Sequence, residues 1–137
     1  MLNRAIEIHD SILDIISVVD GDAILDFSSV YIHQSAGRPL ADAGSGWVQK
    51  ARLRIQDAVI QGSFSALPRD LADGHIKLGG TVLSNEIPIP LKYAGEIELR
   101  LESQRDGKVV LITGGGIELE LIGEPEYVEE FRPGRNT

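Results

Sequence analysis

The sequence predicts an all-β protein, an antiparallel β-sandwich or partly closed barrel of about eight to ten short strands, with at most one short C-terminal helix. Apolar and polar residues alternate with a period of two, most clearly where Ile97, Leu99 and Leu101 are set against Glu96, Glu98, Arg100 and Glu102. Turn residues punctuate these runs, as in Asp20-Gly21-Asp22 and Arg105-Asp106-Gly107. A helical apolar period is almost absent.

Taken in order, Arg4 to Ile8 read as an opening strand and His9-Asp10-Ser11 as a corner. Ile12 to Val19 is rich in β-branched residues, and Ala23 to His33 returns after a tight-turn signal, so 12–33 predicts a hairpin. From Gln34 to Gly46 no apolar period survives, and Gly37, Pro39, Gly44 and Gly46 accompany Arg38 and Asp42. Connections of that length are commonly functional or mobile. Trp47 opens the next strand, which places Ala51, Leu53 and Ile55 on one face and Lys50, Arg52 and Arg54 on the other. Asp57 marks a turn, with Val59 to Phe64 as the return strand.

Leu67 to Gly74 reads as one helical turn or a loop, and His75 to Leu83 as a strand broken by a bulge or bend at Gly79-Gly80. Pro88 and Pro90 lack backbone donors, so Ile87 to Leu91 predicts an edge strand or extended connector. A meander starts at Gly95. Its Lys108 to Thr113 strand is apolar on both faces, Gly114-Gly115-Gly116 is expected to turn, and Ile117, Leu119 and Leu121 then alternate with Glu118 and Glu120. Glu124 to Phe131 is expected to be the short helix, anchored by Tyr127 and Phe131. Residues 1–132 make one domain, and 133–137 a disordered tail.

The chain has 137 residues, a formal net charge of −8 and no cysteine. Disulfides and thiolate metal sites are thereby excluded. Both halves are acidic, with 5 basic and 8 acidic side chains in residues 1–68 and 8 and 13 in residues 69–137. A nucleic acid or an anionic membrane would meet net repulsion. With no apolar run of signal-peptide or membrane-spanning length, the expectation is a soluble cytoplasmic protein.

His9 and His33 are the candidate metal ligands, joined by Asp10, since the predicted hairpin brings its two ends to one side. Their competing reading is a polar corner, with Asp10 and Ser11 bonded to backbone. The 33–47 segment is the candidate ligand loop, with His33, Ser35, Arg38, Asp42 and Trp47 as its chemistry: Arg38 pairs with an anion and Trp47 offers a stacking face. No Gly-Lys-Ser/Thr follows its glycines, so it is no P-loop. Lys50, Arg52 and Arg54 are expected to face the Glu96, Glu98, Glu118 and Glu120 rows. There is no Gly-x-Ser-x-Gly elbow, and no catalytic residue is assigned.

The segments His9-Asp10-Ser11-Ile12-Leu13, Tyr31 to Pro39, Gly44 to Gln49 and Gly123 to Phe131 resemble a group of small uncharacterised bacterial proteins. That resemblance implies no activity. The opening His-Asp-x-x-Leu pattern is also similar to that of some β-rich immunity proteins of bacterial toxin systems. The leading functional expectation is a non-enzymatic binding module that associates with itself or with another protein, without a cofactor. The alternatives are a small-molecule binder or metal-assisted hydrolase built on the 33–47 loop, and a toxin-immunity-like protein.

Overall fold

A computed structural model describes residues 2–132; the predicted tail at 133–137 lies outside the described residues. The described residues form nine strands and no helix. These are β1 (Asn3–Val19), β2 (Asp22–Ser35), β3 (Gly44–Gln56), β4 (Val59–Gln61), β5 (Arg69–Leu78), β6 (Thr81–Ser84), β7 (Glu86–Ile89), β8 (Lys92–Ser103) and β9 (Val109–Phe131). All pair antiparallel in one sheet of order β6-β5-β8-β9-β3-β2-β1-β7. A further pairing of β5 with β1, through Ile12↔Asp70 and Leu13↔Arg69, partly closes β1, β2, β3, β9, β8 and β5 into a ring. Opposite walls of the ring face each other across one core. Leu13, Leu25, Leu53, Leu71, Leu99 and Ile112 are at most 1% exposed there. Each such side chain contributes roughly 1.5–3 kcal/mol by leaving water.

The hairpin at 12–33 and the Pro-bearing edge strand form as the alternation dictates, while the expected meander is reduced to the single β8–β9 hairpin. The fold class stands, but several elements differ from expectation. Five strands are long: β9 alone runs 23 residues. Glu124 to Phe131 is the outer end of β9, not a helix, because its backbone finds partners on Gly44 to Val48 of β3. Gly114 to Gly116 does not turn. It lies inside β9, where a Cβ on Gly114 would come within 2.5 Å of the Gln56 carbonyl oxygen and Ile55. These glycines serve close approach of backbones rather than reversal.

Val59 does not begin a return strand. Past Asp57 the chain carries on along β9, so β3 ends at Gln56↔Gly116 and β4 resumes at Val59↔Thr113. The segment read as a helical turn or loop at 67–74 enters β5 at Arg69. Gly79-Gly80 is the turn joining β5 to β6, with Gly79 at φ 60°.

His9-Asp10-Ser11 is not a corner between strands but a bulge within β1. Pairing jumps from Glu7↔Tyr31 to Ile12↔Ser29. Asp10 takes φ 76°, and the Ser11 hydroxyl fills the interrupted ladder by donating to Glu7 O (2.7 Å) and accepting from Tyr31 N–H (3.1 Å). Similar shifts occur at the same level in β2 (Phe27/Val30) and between β3 and β9 (Val48/Lys50). A line of irregularities thus crosses four adjacent strands. Bulges bend and twist the strands that carry them. Below the line is the ring. Above it, Asn3–Glu7, Val30–Ser35, Gly44–Val48 and Glu126–Phe131, with β7, form a wing of the same sheet.

Candidate functional site

Alternation on β2 puts Tyr31, His33 and Ser35 on one face of the wing. Register adds Glu7 and Ala5 of β1, Gly46 and Gly44 of β3, and Glu129 and Phe131 of β9. Gly46 has a reason to be glycine, since any Cβ there would collide with the Tyr31 phenol. Tyr31 therefore lies across β3 and donates its hydroxyl to Glu129 Oε1 (2.7 Å). Burial, and next the hydrogen bond to Glu129, pushes the Tyr31 phenol well above its ordinary value of 10.0.

His33 is 3% exposed, and its Nε2 meets Glu7 Oε2 at 3.0 Å. Its Nδ1 has no hydrogen-bond partner. The His33 ring is edge-on to Phe131 (centroids 4.1 Å) and tilted against Tyr31 (4.9 Å). These residues form a clasp that ties β1, β2 and β9 together, with Tyr31 and His33 buried and Glu129 at the surface.

The bulge exposes His9 and Asp10, whose Nδ1 and Oδ1 lie 3.2 Å apart. One ligand atom from each of Glu7, His9 and Asp10 falls within 4.8 Å of the others, and this trio could hold a divalent cation. His33 is not in the trio; it is turned onto Glu7 instead. Asn85, at φ 58°, braces the bulge by accepting from His9 N–H (2.7 Å) through Oδ1 and from Ile8 N–H (3.1 Å) through its carbonyl.

The 36–43 loop closes on itself. Ser35 Oγ donates to Ala43 O (2.7 Å) and accepts from Gly37 N–H (3.0 Å), while Asp42 accepts from Arg38 N–H (2.5 Å). Arg38 is exposed. Trp47 is one residue out of phase with Gly46 and so lies on the opposite face of the wing from His33. There it packs edge-on to Tyr127 (5.4 Å) and donates to Ser45 Oγ (2.8 Å), beside a hollow of about 130 Å³ lined with Arg4, Ile32, Gln34 and Pro125. The seven residues expected to share one site are divided by the sheet into an exposed bulge, a buried clasp, a self-bonded loop and an opposite-face stack.

The basic stripe faces Glu118 and Glu120 as expected, but its short ion pairs are made on the other side. Arg52 binds Asp26 (2.7 Å) and Arg54 binds Asp22 (2.9 Å), both on β2, while Glu120 and Glu118 stand opposite them on β9. The hydrogen bond from Arg54 holds the Asp22 carboxyl below its ordinary value. Glu98 pairs with His75 (2.8 Å) and Glu118 with Lys92 (3.6 Å).

Besides the outer sides of the short strands β4, β6 and β7, two of the long strands leave stretches of edge unpaired among the described residues. β8 leaves β9 at Lys92↔Glu118, so Glu120 to Phe131 pairs with β3 alone. That stretch holds five glutamates and no lysine or arginine, and its Tyr127 and Val128 are 54% and 45% exposed. On β1, pairing with β5 stops at Leu13, beyond which Ile15, Val18 and Val19 are exposed. Glu7, Tyr31, Glu129 and the β9 edge escaped sequence reasoning. The one available signal was Tyr31 and His33 two residues apart on a strand.

No helix among the described residues is long and apolar enough to cross a membrane. Comparisons with protein-family models, with curated proteins and with solved structures found no match to this chain.

Proposed function

We propose that this protein is a non-enzymatic binding module that receives a basic, extended segment of another protein along the open edge of β9. The unpaired edge at Glu120–Phe131 carries this reading. An edge strand offers a row of backbone donors and acceptors to an added strand. Its glutamates repel a second copy laid along the same edge and attract lysine and arginine. Titration of the ¹⁵N-labelled chain with an extended peptide of alternating lysine and valine tests it. Amide shifts along residues 120–131, with or without the β2 and β3 residues beside them and absent with a glutamate-for-lysine peptide, support the reading. No shift along 120–131 overturns it.

Self-association has its own observation: the exposed Ile15, Val18 and Val19 on the open part of β1, at 50%, 62% and 48% exposure. An uncharged, β-branched edge is the kind that pairs with its own copy. Light scattering against concentration tests it, and a molecule that stays monomeric at millimolar concentration removes it.

A further inference from the structure

We infer that the cleft at the bend between ring and wing is a receptor for a cationic side chain, a guanidinium or ammonium group, carried by the segment that docks on β9. The inference rests on the edge-docking reading. The cleft, of about 570 Å³, lies where β2, β3 and β9 all break register. Ser28, Ser29, Gln49, Lys50, Glu124 and Glu126 supply its polar lining.

Gln49 points to the ligand. It is 9% exposed, and its Nε2 donates to Gly123 O (2.7 Å). That bond fixes the amide, and its Oε1 is left buried without a partner. A buried acceptor of this kind is normally satisfied, so the missing partner is a donor. The neighbouring Glu124 and Glu126 carboxylates have no ion pair among the described residues. Lys50 stands on the same wall, so the lining carries two negative charges and one positive. The surplus is negative. A planar guanidinium, with five donors and no acceptor, matches a carbonyl oxygen flanked by carboxylates. The cleft is walled on one side by Ile122 to Glu126 of β9, so a strand laid along the open edge runs beside it, with only β9 for a long side chain to cross.

The experiment uses the full ¹⁵N-labelled chain and two small probes, N-acetyl-arginine amide and its neutral citrulline counterpart. The arginine probe is expected to shift the Gln49 side-chain amide and the Ser28, Ser29 and Glu124 backbone amides saturably. The citrulline probe is expected to bind at least tenfold more weakly. Gln49→Leu, and separately the surface double variant Glu124→Gln with Glu126→Gln, are expected to abolish the shifts. The surface pair keeps the test decisive if Gln49→Leu fails to fold. Equal shifts with citrulline, or no saturable shift with arginine, overturn the inference. A basic peptide that shifts 126–131 but leaves Gln49 unmoved leaves edge docking standing and removes the cleft. Arginine binding at Gln49 without peptide binding on β9 does the reverse.

Discussion

Single residues carry much of the wing's organisation. Tyr31 reaches Glu129 only because Gly46 has no Cβ, so Gly46→Ala is expected to cost about 1–3 kcal/mol by overpacking, read as a lower urea midpoint. Tyr31→Phe removes a hydrogen bond to a carboxylate and leaves Glu129 exposed enough to find water, so a loss of about 1 kcal/mol is expected at pH 7. The same variant carries a pH signature. The folded-state Tyr31 phenol is raised above its ordinary 10.0 by burial and by Glu129. Its contribution is therefore complete below pH 10 and is lost as pH rises beyond that, when the unfolded chain ionises first. Stability of the parent is expected to fall above pH 10 more steeply than that of Tyr31→Phe, by denaturant titration at pH 9 and above 10. At the bulge, calorimetric titration with zinc tests whether Glu7, His9 and Asp10 hold a cation; His9→Ala is expected to abolish any uptake, and heat that persists in that variant rules the trio out.

At the scale of elements, the two open edges separate by chemistry. The β9 edge is acidic and interrupted by Gly123, at φ 76°, and Pro125. Charge, proline and bulges are devices that keep an edge from joining its own kind. Reversing Glu126 and Glu130 to lysine is expected to weaken binding of the basic peptide about tenfold or more, and raising salt to weaken it in the parent. The β1 edge lacks these devices over Ile15 to Val19, so Val18→Asp is expected to suppress any concentration-dependent association without changing the urea midpoint. The strands themselves were legible because a period of two survives wherever one face is buried. Their ends were not. Glu124 to Phe131 suggests a helix when read alone, and only pairing with Gly44 to Val48 makes it a strand. The three glycines at 114–116 look like a turn in sequence, while their cause is a neighbouring backbone that sequence does not display.

For the whole molecule, the ring core holds both wing and edges in place. Leu53, 0% exposed at the middle of β3, is expected to cost about 2–5 kcal/mol on replacement by alanine, measured as a shift of the denaturation midpoint. The candidate site was partly legible at this scale. His33 and the His9-Asp10 pair do approach one place, but through Glu7, whose part depends on the β1–β2 register. The side on which Trp47 falls was not legible, because the glycine-rich segment hides the phase at which β3 resumes its alternation. Ser35 and Asp42 looked like ligand groups, and their oxygens are spent on closing their own loop.

The ring is fastened unevenly. Between β1 and β2 the ladder has a dozen rungs, whereas β1 and β5 share two. Rupture of so short a seam would unroll the cylinder into a curved ribbon while every other ladder stayed zipped. Amide protons at Leu13 and Asp70 should therefore trade with deuterium well before those of β3, by an opening that need not unfold the protein.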